Sequence, residues 1–136
     1  MSPDPAAAEV ARAAKAIVQA YGDHETETYF AAFHPEATFV FYTSPERLGS
    51  RDEFRAEWER WEREDGFRVV SCRSFDQHVQ VWGDAAVFTH TIESTVRTLA
   101  GDETPVERET IVFARSENGR WLAVHEHLSP LTTGGD

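Results

Sequence analysis

The chain has 136 residues, with 13 basic and 24 acidic side chains, a formal charge of −11, 40% hydrophobic and 12% aromatic residues, and one cysteine. One domain of this length buries about two-thirds of its unfolded surface, so the core needs neither a disulfide, which Cys72 alone could not form, nor a structural metal. The acidic balance argues against phosphate backbones and anionic lipid surfaces as partners, because binding them relies on Lys and Arg replacing counterions.

From Pro5 to Tyr21 the Ala-rich stretch places Val10, Ala14, Ile17, Val18 and Tyr21 on one stripe and predicts an amphipathic helix that Gly22 ends. Asp23 is the expected cap of a second helix carrying Tyr29, Phe30 and Phe33, stopped by His34-Pro35. Ala37 to Tyr42 reads as a strand buried on both sides, with Phe39 and Phe41 on one face. Ser50-Arg51-Asp52-Glu53 is a capping box for a third helix, whose Phe54, Trp58 and Trp61 recur at i, i+4, i+7 up to Gly66. The period then becomes two, which predicts strands at about 67–82, 85–98, 106–116 and 120–129. Gly83-Asp84 and Asn118-Gly119 are hairpin signals, and the polar link 100–105 is the expected mobile loop. Helices first and antiparallel strands afterwards make an α+β domain over residues 7–130, with 1–6 flexible and 131–136 a disordered tail.

Twelve of the thirteen basic residues are Arg, so Schiff-base chemistry would depend on Lys15, which sits off the apolar stripe. Cys72 has no neighbouring motif and is expected to be inert. His125 and His127, at i, i+2 on the last strand, share a face, and His90 could join them as a third metal ligand. The pattern lacks a completing ligand, so these imidazoles are read as sheet-face residues and no metal is expected. Glu126 is placed among Leu122, Val124 and Leu128, and Glu93 among Val87, Thr89, Thr91 and Thr95, both on faces read as core. A carboxylate there either pairs, with Arg108 the in-sheet partner, or lines a cavity where desolvation raises its pKa into the acid/base range. Thr89, Thr91 and Thr110 add polar groups that pack poorly as plain core and favour the cavity. Trp58 and Trp61 fit either core or ligand platform.

Several segments resemble the nuclear transport factor 2-like superfamily and, within it, the SnoaL-like branch. They are Phe33-His34-Pro35-Glu36-Ala37-Thr38-Phe39-Val40, Trp82-Gly83-Asp84-Ala85-Ala86, Arg108-Glu109-Thr110-Ile111-Val112-Phe113, and Gly119-Arg120-Trp121 leading to Val124-His125-Glu126-His127-Leu128-Ser129. The last also resembles the end of the calcium/calmodulin-dependent kinase association domain. The resemblance implies a cone, a strongly curved, mostly antiparallel sheet wrapped around three N-terminal helices, with a pocket between them and a frequent dimer across the sheet. It also implies departures. Phe41 stands where the steroid isomerases of the superfamily carry their general base, their first-helix tyrosine has no counterpart up to Ile17, and Glu93, Val112 and Leu128 replace the arginines of the kinase pocket. The resemblance further places Glu93 and Glu126 inside the cone and His90, His125 and His127 outside.

These observations predict a cytoplasmic pocket protein for a small apolar or mixed-polarity metabolite. Glu126 and Glu93 are the candidate acid/base residues of an isomerase, cyclase or dehydratase step, and Phe39, Phe41, Trp58, Thr91, Arg108 and Thr110 the candidate ligand contacts, without a cofactor. The alternatives are a non-catalytic ligand-binding or assembly module and, less favoured, a histidine metalloenzyme. A homodimer across the outer sheet face, covering Phe88, Ile92 and Trp121 beside the three histidines, is the expected assembly.

Overall fold

A computed structural model describes residues 4–131. The expectations for residues 1–3 and 132–136 lie outside the described residues. Helix α1 (Pro5–Gly22) begins within the segment expected to be flexible, because Asp4 Oδ1 accepts from the Ala6 amide at 2.9 Å. Gly22 ends it where a side chain would meet the Cys72 backbone, since an added Cβ would lie 3.1 Å from the Cys72 nitrogen. Asp23 closes this helix rather than opening the next. Helix α2 (Thr26–Ala31) starts after Glu25 without a side-chain cap, and Phe33 already belongs to strand β1 (Phe33–Phe41).

Helix α3 (Arg51–Asp65) follows the capping signal closely. Ser50 Oγ accepts from the Glu53 amide at 3.1 Å, and Gly66 ends the helix at φ +65°. The long strands are β2 (Arg68–Trp82), β3 (Ala85–Thr98), β5 (Val106–Arg115) and β6 (Trp121–Pro130). Between β3 and β5 the segment expected to be mobile instead forms a short strand, β4 (Gly101–Glu103), paired with the end of β3. The six strands make one curved sheet in the order β1-β6-β5-β3-β2, with β4 on β3, and only the β1–β6 pair is parallel. No described helix is long and apolar enough to cross a membrane.

Cross-strand partners define the two faces, because directly opposed residues point the same way. One row runs Val79, Phe88, Ile111, Glu126 and Phe39, and beside it lie Ala86, Phe113 and Ala123. These residues form the inner face against the helices, where Phe39, Ala86, Phe88, Ile111, Phe113 and Ala123 are buried. The outer face carries Thr89, Thr110 and His127 in one row and Val87, Val112 and His125 in the next. Thr38, Val40 and Tyr42 are only partly covered, so β1 is buried on its inner side alone.

This phase corrects the expectation on two strands. On β3 the inner residues are Phe88, His90, Ile92 and Ser94, and on β5 they are Glu107, Glu109, Ile111 and Phe113. Thr91, Glu93, Arg108 and Thr110 therefore point outward. On β6 both Trp121 and Glu126 face inward despite their odd separation. Val112 pairs with His125 while Phe113 pairs with Ala123, so Val124 is an extra residue, a β-bulge that reverses the alternation.

Candidate functional site

The inner face and the helices enclose a cavity of about 430 Å³. Its walls come from α1 (Ile17, Val18, Tyr21), α2 (Tyr29), α3 (Phe54, Trp58, Trp61), and the inner residues of β2, β3, β5 and β6. The aromatic rings support one another. Tyr29 stacks on Trp58 at 5.4 Å, and Tyr21 meets Trp58 edge-on at 6.0 Å. Exposed Tyr42, Thr43, Asp65 and Glu103 also line it and mark its mouth.

Opposite the rings lies a row of carboxyl groups. Glu107, Glu109 and Glu126 are 6%, 8% and 4% exposed, and among the described residues none pairs with a lysine or arginine. Tyr42 donates its hydroxyl to Glu107 Oε2 at 2.6 Å, and Tyr29 donates to Glu126 Oε1 at 3.3 Å. Glu109 and Glu126 act on each other's ionisation. Burial, then the charge of Glu109 and the hydrogen bond made to it, push the Glu126 carboxyl well above the usual range, against partial offsets from Tyr29 and His90. Burial also raises Glu109, and its hydrogen bond with Glu126 opposes that rise. Burial raises Glu107 as well, and the Tyr42 bond moderates that rise.

His90, 4% exposed, stands behind Glu109 with its Nε2 2.7 Å from Glu109 Oε1. A carboxylate at that distance favours an imidazolium, yet burial dominates and lowers His90 to about 4, with only the Glu126 charge opposing it. The neutral ring therefore donates from Nε2 to Glu109 and accepts at Nδ1 from Ser74 Oγ, 2.6 Å away. Ser74 reaches it because β2 bulges between Phe75 and His78, with Asp76 at φ +56°. A continuous chain of hydrogen-bonding groups thus runs from Ser74 through His90 and Glu109 to Glu126 and Tyr29.

Three of the eight site residues expected from sequence, Phe41, Trp58 and Glu126, line this cavity. Phe39 is buried in the aromatic core, 4.6 Å from Phe54 between ring centres, and does not line it. Glu93 lies on the outer face paired with Arg73 at 3.0 Å, so Arg108 is not its partner. Thr91 is buried there between its cross-strand neighbours Phe75 and Arg108, and Arg108 and Thr110 share that face outside the cavity. His90 faces inward whereas His125 and His127 face outward, so the three do not converge. Among the described residues no group of three metal-binding side chains is assembled.

Glu107, Glu109, Tyr29 and Tyr42 are the polar residues that strand-by-strand reading missed. The two glutamates were accessible to it, since they alternate in phase with Ile111 and Phe113. Cys72 also lines the cavity, but burial pushes its thiol up to about 11 although Ser94 donates to it, which leaves it protonated.

A profile of the SnoaL-like domain matches residues 10–133. Among solved structures, a ketosteroid isomerase-like protein from Erwinia carotovora atroseptica is similar with a TM-score of 0.80 at 17% identity, covering 96% of this chain and 100% of the other. A candidate dehydratase of the NTF2-like family from Streptomyces avermitilis gives a TM-score of 0.75 at 23% identity over 97% and 100%. A protein from Catenulispora acidiphila in complex with S-DNPA gives 0.73 at 15% over 89% and 90%. At these identities the likeness concerns the fold. No curated protein matches the chain in sequence.

Proposed function

Because the chain belongs to the SnoaL-like family of the nuclear transport factor 2-like superfamily, we propose that it is a cofactor-independent pocket enzyme of the isomerase, cyclase or dehydratase type. The observation that carries this reading is the Glu109–Glu126 pair, two buried carboxyl groups that no described lysine or arginine pairs with, on the wall of an aromatic cavity. Purely structural carboxylates are normally compensated by Arg or Lys, because an unpaired buried charge costs several kcal/mol. Here Glu126 acts as the proton donor. Its proton passes to the substrate, leaving Glu126 as the carboxylate, and the proton the substrate loses in the same isomerisation or elimination returns to it; His90 Nε2–H holds Glu109 and Tyr29 orients Glu126. Phe41 and Trp58 supply apolar surface that keeps water from the reacting group. The complex of the Catenulispora protein with S-DNPA supports small-molecule binding by this fold. The single cysteine and the acidic charge accord with a cytoplasmic setting.

Thermal-shift screening against a metabolite library identifies ligands, since one present at 100 times its dissociation constant adds about 2.7 kcal/mol. Turnover of such a ligand should fall on the order of 10²- to 10⁴-fold in Glu126→Gln, with its affinity less affected. Wild-type turnover in that variant refutes the acid/base role. Binding without turnover by the wild type favours the rival reading, a non-catalytic ligand-binding module.

A further inference from the structure

The described cavity lining contains five carboxyl residues, Asp65, Glu103, Glu107, Glu109 and Glu126, and no lysine, arginine or histidine. Eight of the other lining residues are aromatic. Such a wall disfavours an anionic ligand, because carboxylate or phosphate would meet like charge in a poorly solvated space. A neutral ligand offers no counter-charge to those carboxyls of the row that ionise. A cationic one supplies what the chain itself does not, and the faces of Tyr21, Tyr29, Trp58 and Trp61 add the attraction of ring quadrupoles for a desolvated ammonium.

We propose that the cavity takes a lipophilic amine, bound as its ammonium against Glu109 and Glu126 with an apolar body among the rings. This inference rests on the cavity being the ligand site and deepens that reading by naming the class of substrate. It requires no proton transfer, so it stands or falls independently of the acid/base role. The charge of the whole chain acts in the same direction, since −11 draws cations toward the mouth where Asp65 and Glu103 stand.

The test compares three probes of matched shape, 4-phenylbutylamine, 4-phenylbutan-1-ol and 4-phenylbutanoate, followed by the quenching or shift of tryptophan fluorescence, to which the cavity residues Trp58 and Trp61 contribute two of the four indoles. The amine should bind about tenfold or more tightly than the alcohol, the carboxylate should bind weakest, and the amine preference should collapse in the Glu109→Gln, Glu126→Gln double variant. An alcohol that binds as tightly as the amine, or a carboxylate that binds better, overturns the amine class while leaving the cavity as a ligand site. If no probe binds, both the amine class and the cavity reading fail. Should the double variant not fold, the ranking of the three probes on the wild type decides alone.

Discussion

Glu126 and His90 are buried in opposite senses, and stability should record both. The depressed pKa of His90 means that folding favours its neutral ring. Its contribution is complete above the unfolded value near 6.5 and is lost as pH falls toward about 4. The raised pKa of Glu126 means that folding favours its protonated form. That contribution is complete below the unfolded carboxyl value and is lost as pH rises through the folded one. Urea denaturation across pH 4.5 to 9 should therefore show His90→Gln gaining on the wild type as pH falls and Glu126→Gln gaining as pH rises. Profiles parallel to the wild type for both variants would contradict the burial of these groups in those protonation states.

At the scale of elements, two local devices hold the site. The bulge at Val124 lets Trp121 and Ala123 pack in the core while Glu126, farther along the same strand, also faces inward. Without the extra residue, the strand would turn either its aromatic anchor or its carboxyl outward. The second device is Gly66, which ends α3 and sets the position of Trp58 and Trp61. Its φ of +65° disfavours any side chain, and an added Cβ would lie 3.0 Å from Leu99 Cδ2, the flexible end of an exposed side chain that can move. Gly66→Ala should thus cost about 1 kcal/mol, mostly through backbone strain, and lower the melting temperature by roughly 4 °C. Differential scanning calorimetry checks this, and an unchanged or raised melting temperature would show that the helix end does not require the left-handed conformation.

For the whole molecule, the faces of the sheet change the argument for assembly. Phe88, Ile92, Trp121 and His90, which motivated a dimer across the outer face, are buried inside. A homodimer on that face would instead use Val87, Val112, Leu122 and Val124 beside His125 and His127. Burial, and then the neighbouring His127, already lower the pKa of His125, whose Nδ1 lies 2.8 Å from Thr38 Oγ1. Protonating imidazoles at such a contact adds like charge. A dimer formed there should be present at pH 8 and weaken below about pH 6. Sedimentation equilibrium decides: a monomer at pH 8 removes the dimer, and a dimer indifferent to pH removes the histidines from its contact.

The order of elements was legible from local chemistry. The Ser50 box and Gly66 bound α3, the glycine turns separate the long strands, and the anomaly of a glutamate among apolar neighbours singled out Glu126. The motif resemblance placed the chain in its superfamily and supplied the cone. Local alternation, however, establishes only that a strand has two faces, and which one meets the helices depends on the bulk brought to it from elsewhere. On β3 local alternation alone favours the threonines as inward, whereas helix packing selects Phe88 and Ile92 and carries His90 in with them. On β5 the same packing takes Ile111 and Phe113 and draws in Glu107 and Glu109. On β6 a one-residue bulge, invisible in the hydrophobic pattern, reconciles Trp121 with Glu126. The site itself joins groups as distant as Tyr29 and Glu126, 97 residues apart. Tertiary structure decided that pairing, because its energy arises only when helices and sheet close over the same carboxyl groups.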